Sequence, residues 1–253
     1  MQLMVIAGVL VALAAATRGM WSPCGLSMLT SINPVAERGR RHRYSVTAAW
    51  FILGGALGGL TLGMVAALLA VLVAAVGLSI DARVAIGAGA ALLAVLFDQG
   101  AVGVEMPVLR RQVNERWLDE FRGWFYGVGF GWQIGVGVAT YVMTAAVGLT
   151  VVVAALSGRP AVAVAICVLF GFVRGSWVLL TARVRSAEEL RGLLRQIDRL
   201  EEPVRRGVIG LELVVAAALG LWLSVWLALG VLAVAAIAMS ATLAKHRSLK
   251  SLR

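Results

Sequence analysis

Seven apolar stretches follow one another along the chain, at residues 3–32, 46–77, 84–106, 127–156, 161–182, 208–226 and 227–244. Most reach the roughly 20 residues that a helix needs to cross a bilayer. Lipid offers a bare backbone group no partner, so spanning segments must be helices or closed barrels. Barrel strands would show as short alternating segments instead. The pattern therefore predicts an all-α polytopic membrane protein of about seven transmembrane helices. Only 14% of the residues are charged, against about a quarter in a soluble domain. No polar stretch is long enough to form a separate soluble domain. Residues 208–244 make one apolar block with Trp222 and Trp226 at its centre. Tryptophan prefers the membrane interface, so a hairpin with its tip there fits better than one long helix.

The formal net charge of +10 follows the membrane and does not indicate nucleic acid. Arginines crowd the loops after the first, third and fifth stretches, from Arg38, Arg110 and Arg183 onward, and basic residues recur in the tail from Lys245. The intervening loops hold only Arg83 and Arg159, with Asp81. By the positive-inside rule the arginine-rich loops and the C-terminus are cytoplasmic and the N-terminus is outside, in the cell membrane. The N-terminal stretch has no basic leader and runs on through residue 24, so it reads as an uncleaved first span. Leucines and Ile197 at helical spacing predict a cytoplasmic helix over 186–202, capped by Ser186 with Glu189 and ended by Pro203. Arginines and aromatics mixed over 108–126 predict an interfacial amphipathic helix. Both read as segments lying on the membrane surface.

The first stretch carries Arg18-Gly19-Met20-Trp21-Ser22-Pro23-Cys24-Gly25-Leu26-Ser27. Proline and glycines there predict a broken helix over 18–28. Irregular backbone at membrane depth persists only where protein buries it or water reaches it. A thiol, Cys24, sits at that break. Gly131-Trp132-Gln133-Ile134-Gly135-Val136-Gly137 marks a second predicted break over 129–138. Aligning Trp21 with Trp132 sets Gly135 opposite Cys24. Gly54 and Gly58 likewise match Gly171 and Gly175. Two three-helix halves of odd span number form an inverted repeat, an arrangement that places transporter sites between broken helices. The predicted parts are a first repeat (1–107), the interfacial helix (108–126), a second repeat with the cytoplasmic helix (127–228), and a last span with basic tail (229–253). Most span glycines read as helix-packing positions, whereas Gly25, Gly135 and Gly137 fall at the breaks.

Ser22-Pro23-Cys24-x-Leu26 resembles the first redox motif of the CcdA/DsbD transmembrane family, and Phe130-Gly131-Trp132 resembles the lead-in to its second. The resemblance implies an inverted-repeat helical fold. It also implies a relay of thiol reducing equivalents from cytoplasmic thioredoxin to an extracytoplasmic thioredoxin-like partner, often in cytochrome c maturation. The chain departs from the family where the second motif has proline and cysteine: here stand Ile134 and Gly135. Cys167 is the other candidate thiol, and a small buried apolar residue is its plainer reading.

Arg18, Asp98 and Arg174 fall inside spans, and such charges mark sites or helix-locking ion pairs. An arginine near Cys24 favours its thiolate. Glu105 and Glu212 fall near the arginine-rich ends, where hydration is expected. The site expected from the sequence is therefore Cys24 as reactive residue. Arg18, Trp21, Ser22, Pro23, Gly25, Ser27, Trp132, Gln133, Gly135 and Gly137 shape it, and Asp98 and Arg174 carry its charge. No Cys/His cluster has metal-ligand spacing and no phosphate loop follows a strand, so neither metal nor cofactor is implied. His42 and His246 read as solvated neighbours of arginines. Thiol relay by Cys24 with thioredoxin-like partners is the leading function. The alternatives are a transporter or exporter of a small solute, anionic solutes included, on the same inverted-repeat scaffold and a membrane assembly factor.

Overall fold

The first apolar stretch forms two helices. In the computed structural model, which describes residues 2–100, 121–138 and 143–251, α1 (Gln2–Arg18) enters a 3-10 turn (Gly19–Trp21) and restarts as α2 (Pro23–Ser31). A short α3 (Pro34–Gly39) leads to α4 (Tyr44–Ala75) and α5 (Ile80–Asp98). Then come α6 (Gly123–Val136), α7 (Ala146–Leu156) and α8 (Pro160–Ser176), which closes in a 3-10 turn (Trp177–Thr181). The chain ends in α9 (Ala187–Leu223) and α10 (Val225–Ser251). The described residues hold helices and no strand. Among the described residues, five helical segments are long and apolar enough to cross a membrane: Gln2–Trp21, Tyr44–Ala75, Ile80–Asp98, Pro160–Thr181 and Ala187–Leu223. α7 and the start of α10 are shorter apolar helices.

α4 is the central post. Its 32 residues make about 48 Å of helix, more than the roughly 30 Å of a hydrocarbon core, so it tilts or projects. It runs parallel to α6, where Gly54 meets Val128 and Gly58 meets Trp132, and antiparallel to α8, where Gly55 meets Gly175 and Gly59 meets Cys167. A Cβ on Gly135 would lie 2.1 Å, and one on Gly171 2.2 Å, from the same Gly55 carbonyl oxygen. Lipid gives helices no hydrophobic drive to associate, so close backbone approach at small residues supplies the packing.

α1 packs on α7, α8 and α9, and α5 pairs with α9. Exchanging the halves maps α1 onto α6 and α7, α4 onto α8, and α5 onto α9. Under that exchange the parallel α4–α6 contact becomes α8–α1. That contact is also parallel, with Gly8 against Ile166 and Gly19 against Arg174. The directions of these crossings agree with the inverted repeat expected from the sequence. Buried side chains fall into two clusters. One, around Val11, Ala15, Ala66, Val153 and Phe170, fills the body. The other, around Trp21, Cys24, Met28, Phe51, Tyr126 and Ile197, lies toward the arginine-rich end.

Four expectations are corrected or refined. Pro203 does not end a helix: α9 runs through it from Ala187 to Leu223. Pro203 lacks the N–H that would bond the Arg199 carbonyl. Glu202 pairs with Arg205 at 3.3 Å and Arg206 at 2.8 Å on the far side of the proline, and such pairs support a helix. The segment 186–202 is therefore the outer part of a spanning helix and not a separate surface helix. The fourth stretch breaks within the expected 129–138, after Val136, with Gly137 at φ +74°, whereas Gly135 is inside α6. The chain reverses at Ser224, since a Cβ on Gly220 would come 3.3 Å from the Ala228 Cα. The 208–244 block is therefore a hairpin. Of the predicted interfacial helix, 108–120 lies outside the described residues, as does Glu105, and its last part, from Gly123, begins α6.

Candidate functional site at two helix breaks

Three residues make the first break. The Ser22 hydroxyl donates to the Gly19 carbonyl at 2.7 Å and accepts the Gly25 amide at 3.1 Å. It thus closes the 3-10 turn and caps α2. Pro23 takes the first helical position, where its missing N–H costs nothing. Gly25 lies against the turn it follows: a Cβ there would be 2.3 Å from the Met20 carbonyl oxygen. Cys24 is thereby fixed in the first turn of α2, fully buried, at the helix end whose amides favour negative charge.

Arg174 on α8 reaches into this break. A Cβ on Gly19 would lie 2.8 Å from its Nε, so the missing side chain of Gly19 makes the slot for the guanidinium. Arg174 is 3% exposed and interacts electrostatically with Cys24. Its guanidinium carbon lies 5.7 Å from the centre of the Phe170 ring, within cation–π range. That ring in turn lies 2.9 Å from where a Cβ on Gly137 would stand. The two breaks are thus joined through Phe170 and Arg174. The Arg174 Nε has no hydrogen-bond partner, and no carboxylate pairs with Arg174 among the described residues.

Other expected members lie elsewhere. Gly135 packs against α4. Trp132 is 41% exposed and donates its indole N–H to the Thr61 hydroxyl at 3.0 Å, on the outer face of α4. Gln133 and Ser27 are half-buried. Cys167 is buried against Gly63 in the other core cluster, and neither thiol is in a disulfide. It lies two helical turns before Arg174, about 10 Å along α8. Asp98 pairs with neither candidate arginine. It accepts the Thr144 hydroxyl and, at 2.7 Å, the Ala145 amide, capping α7 from a neighbouring helix. Glu212, expected to be hydrated, is 1% exposed.

The outer part of α9 covers the Cys24 segment. The Trp21 indole donates to the Ile197 carbonyl at 3.0 Å, and Arg18 pairs with Glu201 at 3.2 Å. Beside this seal lies a groove of about 450 Å³ lined by Trp21, Leu26, Thr30, Leu194, Ile197 and Glu201. One buried hydrogen bond and one half-exposed ion pair hold the seal, together worth about 1–2 kcal/mol. Trp21→Phe combined with Glu201→Gln is expected to speed maleimide labelling of Cys24 about tenfold. An unchanged rate would show that α9 does not gate the thiol.

The sequence reading passed over a second buried polar cluster. Glu37, with no exposed side-chain surface, accepts the Thr47 hydroxyl at 2.6 Å and the Tyr126 hydroxyl, and pairs with Arg40 at 3.2 Å. It ties α3 to α4 and α6. Its signal was its standing as the one acid in the arginine loop between Ile32 and Tyr44.

Apolar helices in this number, packed through glycine crossings and holding a buried thiol and arginine, define a multi-pass integral membrane protein. The chain is similar to methylamine utilization protein MauF of Methylorubrum extorquens, 31% identical over 152 residues that cover 59% of this chain and 53% of that protein. It is also similar to MauF of Paracoccus versutus, 34% identical over 172 residues, covering 65% and 61%, and to MauF of Methylophilus methylotrophus, 30% identical over 171 residues, covering 61% and 54%. The matches thus span 53% to 61% of these relatives' length. No family profile and no solved structure matches the chain.

Proposed function

We propose that this chain exchanges thiols with thioredoxin-like proteins through Cys24, in the CcdA/DsbD manner, and serves the methylamine utilization that its relatives are named for. One observation carries the reading: a fully buried cysteine in the first turn of a helix with a guanidinium beside it and, among the described residues, no carboxylate paired with that charge. Disulfide exchange puts negative charge on the attacking and leaving sulfurs, and a preorganised cation at that point lowers the barrier.

One thiol suffices if the partners supply the others. The Cys24 thiolate attacks the disulfide of an oxidised partner. A mixed disulfide forms, and the partner's second sulfur leaves as a thiolate and takes a proton. A thiolate of a reduced dithiol partner then attacks the Cys24 sulfur, and the first partner leaves fully reduced. The second thiol of the dithiol partner closes its own disulfide and releases Cys24. Two electrons and two protons have then passed from one partner to the other. With the arginine-rich end in the cytoplasm, the groove beside Trp21 admits the cytoplasmic partner.

The test is capture. A thioredoxin-like partner stripped of its resolving cysteine is expected to form a reducible adduct with the wild-type chain and with Cys167→Ser, but not with Cys24→Ser. Thiol transfer that survives Cys24→Ser overturns the proposal. The unpaired Arg174 also favours a second reading, a carrier for a small anion. In that case transport by reconstituted protein survives Cys24→Ser and fails in Arg174→Ala.

A further inference from the structure

The spanning part of α9 buries Val208, Val215, Ala216 and Leu219 along one face, and Glu212 lies in that same stripe. Its side chain is 1% exposed, and neither carboxyl oxygen has a hydrogen-bond partner. A buried polar group without donors is costly, and an unpaired buried charge far more so. The surroundings therefore hold the neutral acid.

Among the described residues, α9 packs chiefly on α5, α10 and α1. α5 brings Asp98, whose charge reaches Glu212; its other charged residues, Asp81 and Arg83, are at the opposite end. α1 brings Arg18, paired with Glu201. The apolar part of α10, Val225–Ala238, carries no titratable side chain. On α9 itself, Arg205 lies two turns toward the arginine-rich end and donates to the Asp98 backbone carbonyl at 3.5 Å. Asp98 is half-buried and, unlike Glu212, accepts two hydrogen bonds and has Arg18 and Arg205 within electrostatic reach. A hydrogen-bonded carboxyl group nearer the arginine-rich end thus neighbours an acid without partners deeper in the helix pair.

We infer that Glu212 is a proton-binding site inside the membrane that exchanges its proton with the arginine-rich side, where Asp98 stands. The proton leaves the Glu212 hydroxyl for water and its return restores the neutral acid; Asp98, which makes no hydrogen bond to Glu212, acts on that exchange through its charge. This site stands apart from Cys24 and does not depend on the thiol chemistry.

Infrared spectroscopy of the full chain in nanodiscs tests it. At neutral pH the carbonyl stretch of a neutral carboxylic acid is expected, lost in Glu212→Gln and kept in Glu37→Gln. Asp98→Asn removes the neighbouring negative charge and is expected to weaken proton binding at Glu212 about tenfold, read as a band that vanishes at lower pH. A spectrum without the band, or a band that survives Glu212→Gln, overturns the site. A titration unmoved by Asp98→Asn overturns the influence of Asp98 on the site.

Discussion

Gly171→Ala is expected to destabilise the protein by about 3 kcal/mol, the upper end of what overpacking usually costs. The new methyl would stand 2.2 Å from the Gly55 carbonyl oxygen and 2.7 Å from the Gly59 amide nitrogen. Both neighbours are backbone, so no rotamer change relieves the clash and α4 and α8 must separate. Separation also forfeits the contacts of Gly59 and Gly175 along the same crossing. The control is Gly210→Ala on α9, where a Cβ meets nothing within 4 Å. There the methyl is neutral or stabilises by up to about 1 kcal/mol through helix propensity. Thermal unfolding in one detergent reads both. Equal midpoints for the two variants would mean that the α4–α8 crossing is not as close as described.

That contrast also explains what the sequence could and could not reveal. Apolar length disclosed the spans, because the requirement it answers is local. The first break was legible because Ser22 and Pro23 act within their own turn. The second fell inside the expected 129–138, but which glycine makes it was not legible: Gly135 and Gly137 look alike in sequence, and only the Gly55 carbonyl, some 80 residues away, makes one a packing residue. Pro203 obeyed its local rule in sequence and broke it in the fold. The helix it should have ended is held on one side by Trp21 and on the other by α5. Glu37 escaped notice for a related reason, since its partner Tyr126 is 89 residues distant. The Cys24 thiol stands out in the sequence, but Arg18, the arginine nearest to it along the chain, is drawn off to Glu201. The neighbour is Arg174, whose closeness depends on a glycine in another helix.

Arg174→Gln is expected to slow the reaction of Cys24 with a small membrane-permeant maleimide about tenfold, the effect of losing roughly 1.4 kcal/mol of charge stabilisation at the sulfur. Arg174→Lys keeps a positive charge on a flexible stem and is expected to recover part of the rate. The stability of Arg174→Gln is expected to move the other way. The wild-type guanidinium is 3% exposed with no carboxylate partner among the described residues, and removing an unpaired buried charge relieves a desolvation cost. A variant that is more stable yet less reactive cannot be explained by unfolding. Arg18→Gln supplies the opposite control, since breaking its pair with Glu201 loosens α9 over the Cys24 segment and raises the labelling rate. If instead Arg174→Gln labels as fast as wild type, its charge does not act on the thiol. The arginine would then belong to an anion site, and transport would be the function left to test.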